Sequence, residues 1–304
     1  MKLATSFLSN NIKIAADLYI PDNYQAGQRL PGIVVSHPMG GVKEQTAGLY
    51  ASLLAENGFI AIAFDAAYQG ASEGLPRFLE DPAQRAEDIR SAVSYLTTRE
   101  EVDSERIGAL GICASGGYVP FTATTDSRIK AVATVSAADV GRLWREGLGG
   151  NGSREALQEM LAEVGRQRTR EARGEEPLLV PIVPHTPADV TPETPVLFRE
   201  GTDYYRTPRA QHPNSPNKYL FTSIDRITAY SSYDRIELIA PRPLLMIAGS
   251  EADTRYFSEQ AVAKAGANAE LFLIDGATHI ALYDVPEYVS QTTNKLVSFF
   301  RAGL

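Results

Sequence analysis

Seven short apolar runs rich in Ile, Val and Ala recur along this chain, at residues 12 to 19, 31 to 37, 59 to 65, 106 to 112, 129 to 135, 243 to 249 and 270 to 274. Most are apolar at nearly every position, as in Gly32-Ile33-Val34-Val35 and Ile60-Ala61-Ile62-Ala63-Phe64. That pattern suits strands covered on both faces of a parallel sheet. The first run alternates instead, with Ile12, Ile14, Ala16 and Leu18 between more polar neighbours, and predicts an antiparallel strand at the sheet edge. Helical patterns separate the runs: Thr46 to Asn57, Asp81 to Thr98, Ser115 to Thr125, Ser258 to Ala265 and Pro286 to Phe299. The second is the clearest, with Asp81 as N-cap, Pro82 at the first helical position, and Ile89, Ala92, Val93 and Leu96 on one face. Strand and helix in alternation predict a doubly wound, mostly parallel α/β sheet, which binds ligands at the carboxyl ends of its strands.

The alternation stops between Ala137 and Pro241. Two helical patterns, Asp139 to Gly147 and Ser153 to Arg173, are followed there by a Pro-rich passage from Pro177 to Pro195. We read residues 1–136 and 241–304 as one core domain of about eight strands, and residues 137–240 as a helical lid inserted after the sixth strand. Gly147 to Gly152 match G-x-G-x-x-G, but no strand precedes them, so a dinucleotide site is not expected. The charged run Arg166 to Glu176 reads as a solvated helix face.

The net charge of −8 excludes the clustered basic surface that a nucleic acid needs. One cysteine in 304 residues excludes an intramolecular disulfide and a multi-cysteine metal site, and neither a metal nor a cofactor is expected. No stretch approaches the ~18 apolar residues of a membrane helix, and Met1 to Asn11 lack the apolar region of a signal peptide. The expectation is a cytoplasmic enzyme acting on a small molecule, without a membrane or nucleic-acid partner; a homo-oligomer is compatible with the sequence.

The lone cysteine, Cys113, lies in Gly111-Ile112-Cys113-Ala114-Ser115-Gly116-Gly117, directly after an apolar run. Small residues two before and two after it allow the sharp strand-to-helix turn that raises a nucleophile into a cleft. Ser115 has a similar setting, but the strand ends at Ile112, and register favours Cys113. A thiol nucleophile needs a base, and the base needs an orienting group. His279 follows the last strand, and Asp253, with Glu251 behind it, follows the strand ending at Gly249. The order Cys113, Asp253, His279 is that of α/β-hydrolase triads. The amide of Ala114 and, because Pro38 has no N–H, that of Met39 are the expected oxyanion donors, each worth ~3 kcal/mol of transition-state stabilisation. Beside His279 and a helix N-terminus, the thiol is expected to rest as a thiolate paired with imidazolium. His37 reads chiefly as a structural residue of the oxyanion loop. His37, Tyr68, Trp144, Tyr204, Tyr205 and Ile280 are candidate substrate contacts.

On these motifs the chain resembles the dienelactone-hydrolase-like branch of the α/β-hydrolase superfamily, whose triad is cysteine, aspartate and histidine. The segments His37 to Gly41, Asp65 to Gly74 and Gly276 to His279 look most like its fungal polyketide transferase group. That resemblance implies acyl groups delivered as thioesters from a polyketide synthase acyl carrier, and includes Claisen-type carbon–carbon bond formation with cyclisation. Dienelactone hydrolases are compact and carry a glutamate on the oxyanion loop, where this chain has His37-Pro38-Met39 and a long insertion elsewhere. Hydrolysis of esters, lactones or thioesters is the second reading, and a non-catalytic binding protein on the same fold the third.

Overall fold

The computed structural model describes all 304 residues. An eight-stranded sheet forms its centre, built from β1 (Lys2–Ser9), β2 (Ile12–Tyr19), β3 (Leu30–Ser36), β4 (Ile60–Phe64), β5 (Val102–Ile112), β6 (Ile129–Val135), β9 (Leu244–Gly249) and β10 (Ala269–Ile274). A separate two-stranded pair, β7 (Leu179–Val180) and β8 (Tyr219–Leu220), lies between β6 and β9 in the chain. The order across the main sheet is β1-β2-β4-β3-β5-β6-β9-β10. β1 and β2 are antiparallel to their neighbours, and the other strands run parallel. This is the α/β-hydrolase fold.

The helices in chain order are α1 (Thr46–Glu56), α2 (Pro82–Thr97), α3 (Ser115–Ala123), α4 (Val140–Glu146), α5 (Arg154–Ala172), α6 (Val196–Arg206), α7 (Ser223–Ala229), α8 (Arg255–Ala265), α9 (Ala281–Asp284) and α10 (Pro286–Gly303). Asp81 caps α2, its carboxylate accepting from the Ala83 amide at 3.0 Å, and Pro82 opens the helix. Central strands β4, β9 and most of β5 are buried along their length because helices cover both faces of the sheet.

One sequence expectation needs correction. The run 12 to 19 is antiparallel, but it pairs on both sides, with β1 and with β4. The edge belongs to β1, whose mostly exposed side chains lack the apolar density that marks a buried strand. The segment between β6 and β9 contains α4 to α7 with β7 and β8, and it packs over the carboxyl ends of the strands.

Candidate active site

The loops leaving Ser36, Phe64, Ile112, Val135, Gly249 and Ile274 converge at one edge of the sheet. Cys113 is the first residue after β5, and its φ of 56° places it in the left-handed region, the strained conformation of an elbow that exposes one side chain. Its carbonyl accepts from the amides of Gly116 at 2.8 Å and Ala138 at 2.9 Å, which turns the chain directly into α3. A Cβ on Gly111 would come within 2.0 Å of the Ser115 carbonyl oxygen, so glycine two residues before Cys113 is a steric requirement. Ser115 is fully buried: its hydroxyl donates to the His37 carbonyl at 2.6 Å and accepts from Arg85 at 3.0 Å.

The Cys113 thiol is half-buried. The backbone amides of Ala114 and Met39 both bear on the sulfur and favour its thiolate, as does the Arg85 guanidinium. Burial outweighs them and leaves the thiol above its ordinary pKa. His279, almost wholly buried, is pushed down to about 3 by desolvation. The resting pair is therefore thiol and neutral imidazole. The expected thiolate–imidazolium pair is corrected: the site is too dry for two charges, and no hydrogen bond joins sulfur to imidazole.

One threonine and one tyrosine hydroxyl hold that imidazole. Thr254 Oγ1 lies 2.5 Å from His279 Nδ1, and the Tyr283 hydroxyl lies 3.2 Å from Nε2. Tyr283 also faces the Cys113 thiol closely enough for each group to alter the other's ionisation. His279 and Tyr283 are four residues apart and share one face of the turn leading into α9. The His279 carbonyl accepts from the Ser136 hydroxyl at 2.8 Å, and Glu251 N donates to the Ala277 carbonyl at 2.9 Å, which fixes this loop beside the one after β9.

Asp253 does not meet His279. One of its carboxylate oxygens accepts from the Leu197 amide of α6 at 2.9 Å, and the other is buried without a partner. Burial raises its pKa, while the Leu197 amide opposes that rise. Thr254, one residue on, takes the place predicted for the carboxylate because Asp253 turns to the first turn of α6, where free amides attract an anion.

The cleft over Cys113 is small, 60 Å³, room for a few waters, and 14 of its 16 lining residues are hydrophobic. Trp144, Tyr205 and Ile280 line it, joined by Leu143, Ile182 and Phe198. The Tyr205 hydroxyl is buried without a partner. Three candidate contacts lie elsewhere. His37 is fully buried behind the loop that follows β3, with Ala66 N donating to its Nε2 at 3.0 Å and Arg85 donating to its carbonyl at 2.6 Å. Tyr204 packs behind Tyr205 and Tyr283 and accepts from the Thr46 amide at 3.0 Å. Tyr68 packs over Gly74, outside the lining. Proximity to a strand end or an aromatic side chain does not determine on which side of a loop the ring falls.

Thr254, Tyr283 and Arg85 were not anticipated. The spacing His279-x-x-x-Tyr283 offered a local signal for the second; the others needed the packed loops. Arg85, from α2, binds the His37 carbonyl and the Ser115 hydroxyl and stacks on Tyr118 at 5.0 Å, so one buried cation ties the loop after β3 to the elbow helix.

A cysteine at a strand-to-helix elbow, a histidine after the last strand and amides over the sulfur, on this sheet, define an α/β-hydrolase enzyme. Residues 10–176 match the family described as X-Pro dipeptidyl-peptidase (S15 family), and the chain belongs to it. Over the full length of both proteins it is 40% identical to the uncharacterized protein YcjY of Escherichia coli. The crystal structure of the hypothetical protein PA2218 from Pseudomonas aeruginosa superposes with a TM-score of 0.94 at 36% identity, covering 100% of this chain and 94% of that one. The polyketide transferase grgF of Penicillium sp. is 27% identical over about half of each chain, 53% and 51%. Its crystal structure shares the fold, with a TM-score of 0.84 at 20% identity over 100% and 99% of the two chains.

Proposed function

We propose that this enzyme transfers an apolar acyl group through an S-acyl-Cys113 intermediate, accepting it as a thioester of the polyketide type. The observation that carries this reading is a thiol at the elbow, under the Met39 and Ala114 amides, at the floor of an apolar pocket. Thioesters suit a thiol nucleophile, because their leaving group departs as readily as the enzyme sulfur. A dry cleft protects the acyl-enzyme from water and favours a carbon acceptor, hence Claisen-type bond formation and ring closure. The free Tyr205 hydroxyl offers one polar point in this lining, suited to a keto oxygen on the acyl chain. Delivery by the acyl carrier of a polyketide synthase accords with the name of the fungal relative. The lid extends over residues 137–240, on a core of residues 1–136 and 241–304.

The closed cleft is too small for an acyl chain, so α6, which supplies Leu197, Phe198 and Tyr205 to its wall, lifts to admit one. Lifting takes the Leu197 amide from Asp253 and frees the carboxylate to turn to His279 Nδ1. The triad Cys113, Asp253, His279 assembles only then. Hydrolysis of activated esters or lactones is the same chemistry with water as acceptor.

Intact-protein mass spectrometry after incubation with acyl thioesters tests the intermediate. An acyl increment is expected on Cys113, absent in Cys113→Ala and retained in Ser115→Ala. Turnover that survives Cys113→Ala overturns the reading.

A further inference from the structure

Resting on the assignment of Cys113 as nucleophile, we propose that His37 and Arg85 are positioning residues that together aim the Met39 N–H at the acyl oxygen without touching the substrate. The aim passes through one peptide group. His37 Nδ1 lies 2.6 Å from the Pro38 carbonyl oxygen, which also accepts from the Gly41 amide at 3.0 Å. The Pro38–Met39 peptide is trans, so its N–H points away from its carbonyl. Donors behind the loop hold the carbonyl, and the amide is thereby turned to the opposite side, where Met39, Cys113 and Ala114 line the cleft. Met39 and Ala114 are buried, and neither amide meets an acceptor oxygen within the protein. A buried N–H without a partner is costly, and two of them beside one nucleophile suit an oxygen that gains charge.

Only one form of the imidazole can hold that carbonyl. Nδ1 faces an oxygen that cannot donate, and Nε2 accepts from the Ala66 amide at 3.0 Å, so the proton sits on Nδ1. Arg85 secures the same residue from α2. Its Nη1 is 3.0 Å from Nε2, and its Nη2 donates to the His37 carbonyl at 2.6 Å and to the Ser115 hydroxyl at 3.0 Å. Arg85 is itself buried and anchored by Glu80, whose carboxylate lies 3.5 Å from Nε and accepts from the Tyr118 hydroxyl at 2.8 Å. Burial and this cation keep His37 neutral, which preserves the donor at Nδ1. Because Arg85 grips both the loop after β3 and the elbow helix, the Met39 and Ala114 amides keep a fixed spacing. None of these residues belongs to the lid, so lifting α6 leaves the device in place.

In acylation the sulfur lone pair forms the S–C bond, the thiol proton passes to His279, and the carbonyl π pair moves to oxygen. That oxygen carries its charge only in the tetrahedral adduct. An amide aimed at it lowers the barrier without tightening ground-state binding.

The test uses the whole protein and S-octanoyl-N-acetylcysteamine as acyl donor, following the octanoyl increment on Cys113 by mass. Asparagine at position 37 puts an N–H where Nδ1 stood, whereas glutamine reaches to the place of Nε2 and leaves the Pro38 carbonyl unheld. With melting curves matching the parent's, His37→Gln is expected to acylate about 100-fold more slowly with KM little changed. His37→Asn should acylate about tenfold faster than His37→Gln, the worth of the restored hydrogen bond. Arg85→Lys keeps the cation and loses the fork; it is expected to be about tenfold slower than the parent and to add no further loss to His37→Gln. Alkylation of Cys113 by iodoacetamide, which builds no oxyanion, should slow far less than acylation in every variant. Independently of any variant's folding, imidazole nitrogen NMR of the parent at neutral pH should show His37 as the Nδ1–H tautomer. An Nε2–H tautomer, acylation of His37→Gln at the parent rate, or equal slowing of acylation and alkylation overturns the positioning role and leaves the acyl-enzyme reading intact. Losses that multiply in the double variant overturn the part assigned to Arg85. Failure of the parent to take up octanoyl on Cys113, with turnover retained, overturns both readings.

Discussion

At the residue scale the site departs from a resting ion pair, and reagents can detect the difference. Burial raises the Cys113 thiol, and its amide and Arg85 neighbours offset this only in part. Iodoacetamide is therefore expected to alkylate Cys113 more slowly at pH 7.5 than it alkylates free cysteine, with the rate climbing toward alkaline pH. Fast alkylation at neutral pH would contradict a thiol resting state. The two neighbours Asp253 and Thr254 are separable in the same way. Thr254→Val preserves shape and removes the Nδ1 partner, and one lost hydrogen bond predicts roughly a tenfold slower acylation. Asp253→Asn keeps an oxygen for the Leu197 amide but lacks the charge that steadies imidazolium. A loss of about 100-fold or more in turnover, with unchanged melting, is expected. Full activity of Asp253→Asn would make that carboxylate a clamp on the lid and nothing more.

At the scale of elements, the decisive contacts run between loops and helices that are distant in sequence. The β5–α3 elbow tolerates no side chain at Gly111, because the Ser115 carbonyl lies 2.0 Å from where a Cβ would sit. Gly111→Ala is expected to cost about 3 kcal/mol, measured by denaturant unfolding, and to slow acylation by displacing the thiol. α6 packs its apolar side over the cleft and its first turn on Asp253, so the proposed opening of the cleft is a movement of this helix. A crosslink between α6 and the loop after β9 is expected to block uptake of long acyl chains while leaving alkylation by a small reagent unaffected. The fold was legible at this scale wherever an element is buried on both faces. The exposed edge strand β1 and the amphipathic lid helices α6 and α7 escaped notice, because tertiary packing rather than a dense apolar run stabilises them.

For the whole molecule, buried titratable groups link stability to pH. His279 is held at about 3 when folded and ionises near 6.5 when unfolded, so its contribution is full above pH 6.5 and is lost as pH falls toward 3. Between pH 7 and pH 5 that loss is about 2 kcal/mol. His37, held neutral by burial and by Arg85, acts in the same direction. Asp88, raised to about 6 by desolvation, acts oppositely: its contribution is full below pH 3.8 and lost as pH rises through 6. Acidification to pH 5 recovers about 1 kcal/mol of it. Asp65, Asp139 and Asp253, also raised by burial, act with Asp88, so the His279 contribution is isolated by comparing His279→Gln with the parent: the parent's Tm is expected to fall further than the variant's between pH 7 and pH 5. An equal change in parent and variant would mean that water reaches the His279 imidazole.

The sequence alone determined the parallel sheet, the elbow around Cys113 and the histidine after the last strand. Those depend on local apolar density, on small residues at a turn and on chain order, all of which are written residue by residue. Tertiary structure decided which side chain meets which. Thr254 rather than its neighbour Asp253 holds His279 Nδ1, the Tyr283 hydroxyl meets its Nε2, and His37 turns inward to brace the loop that Met39 contributes. A difference of one residue in a loop reverses the direction in which a side chain points, and only the helices packed against that loop select between the two.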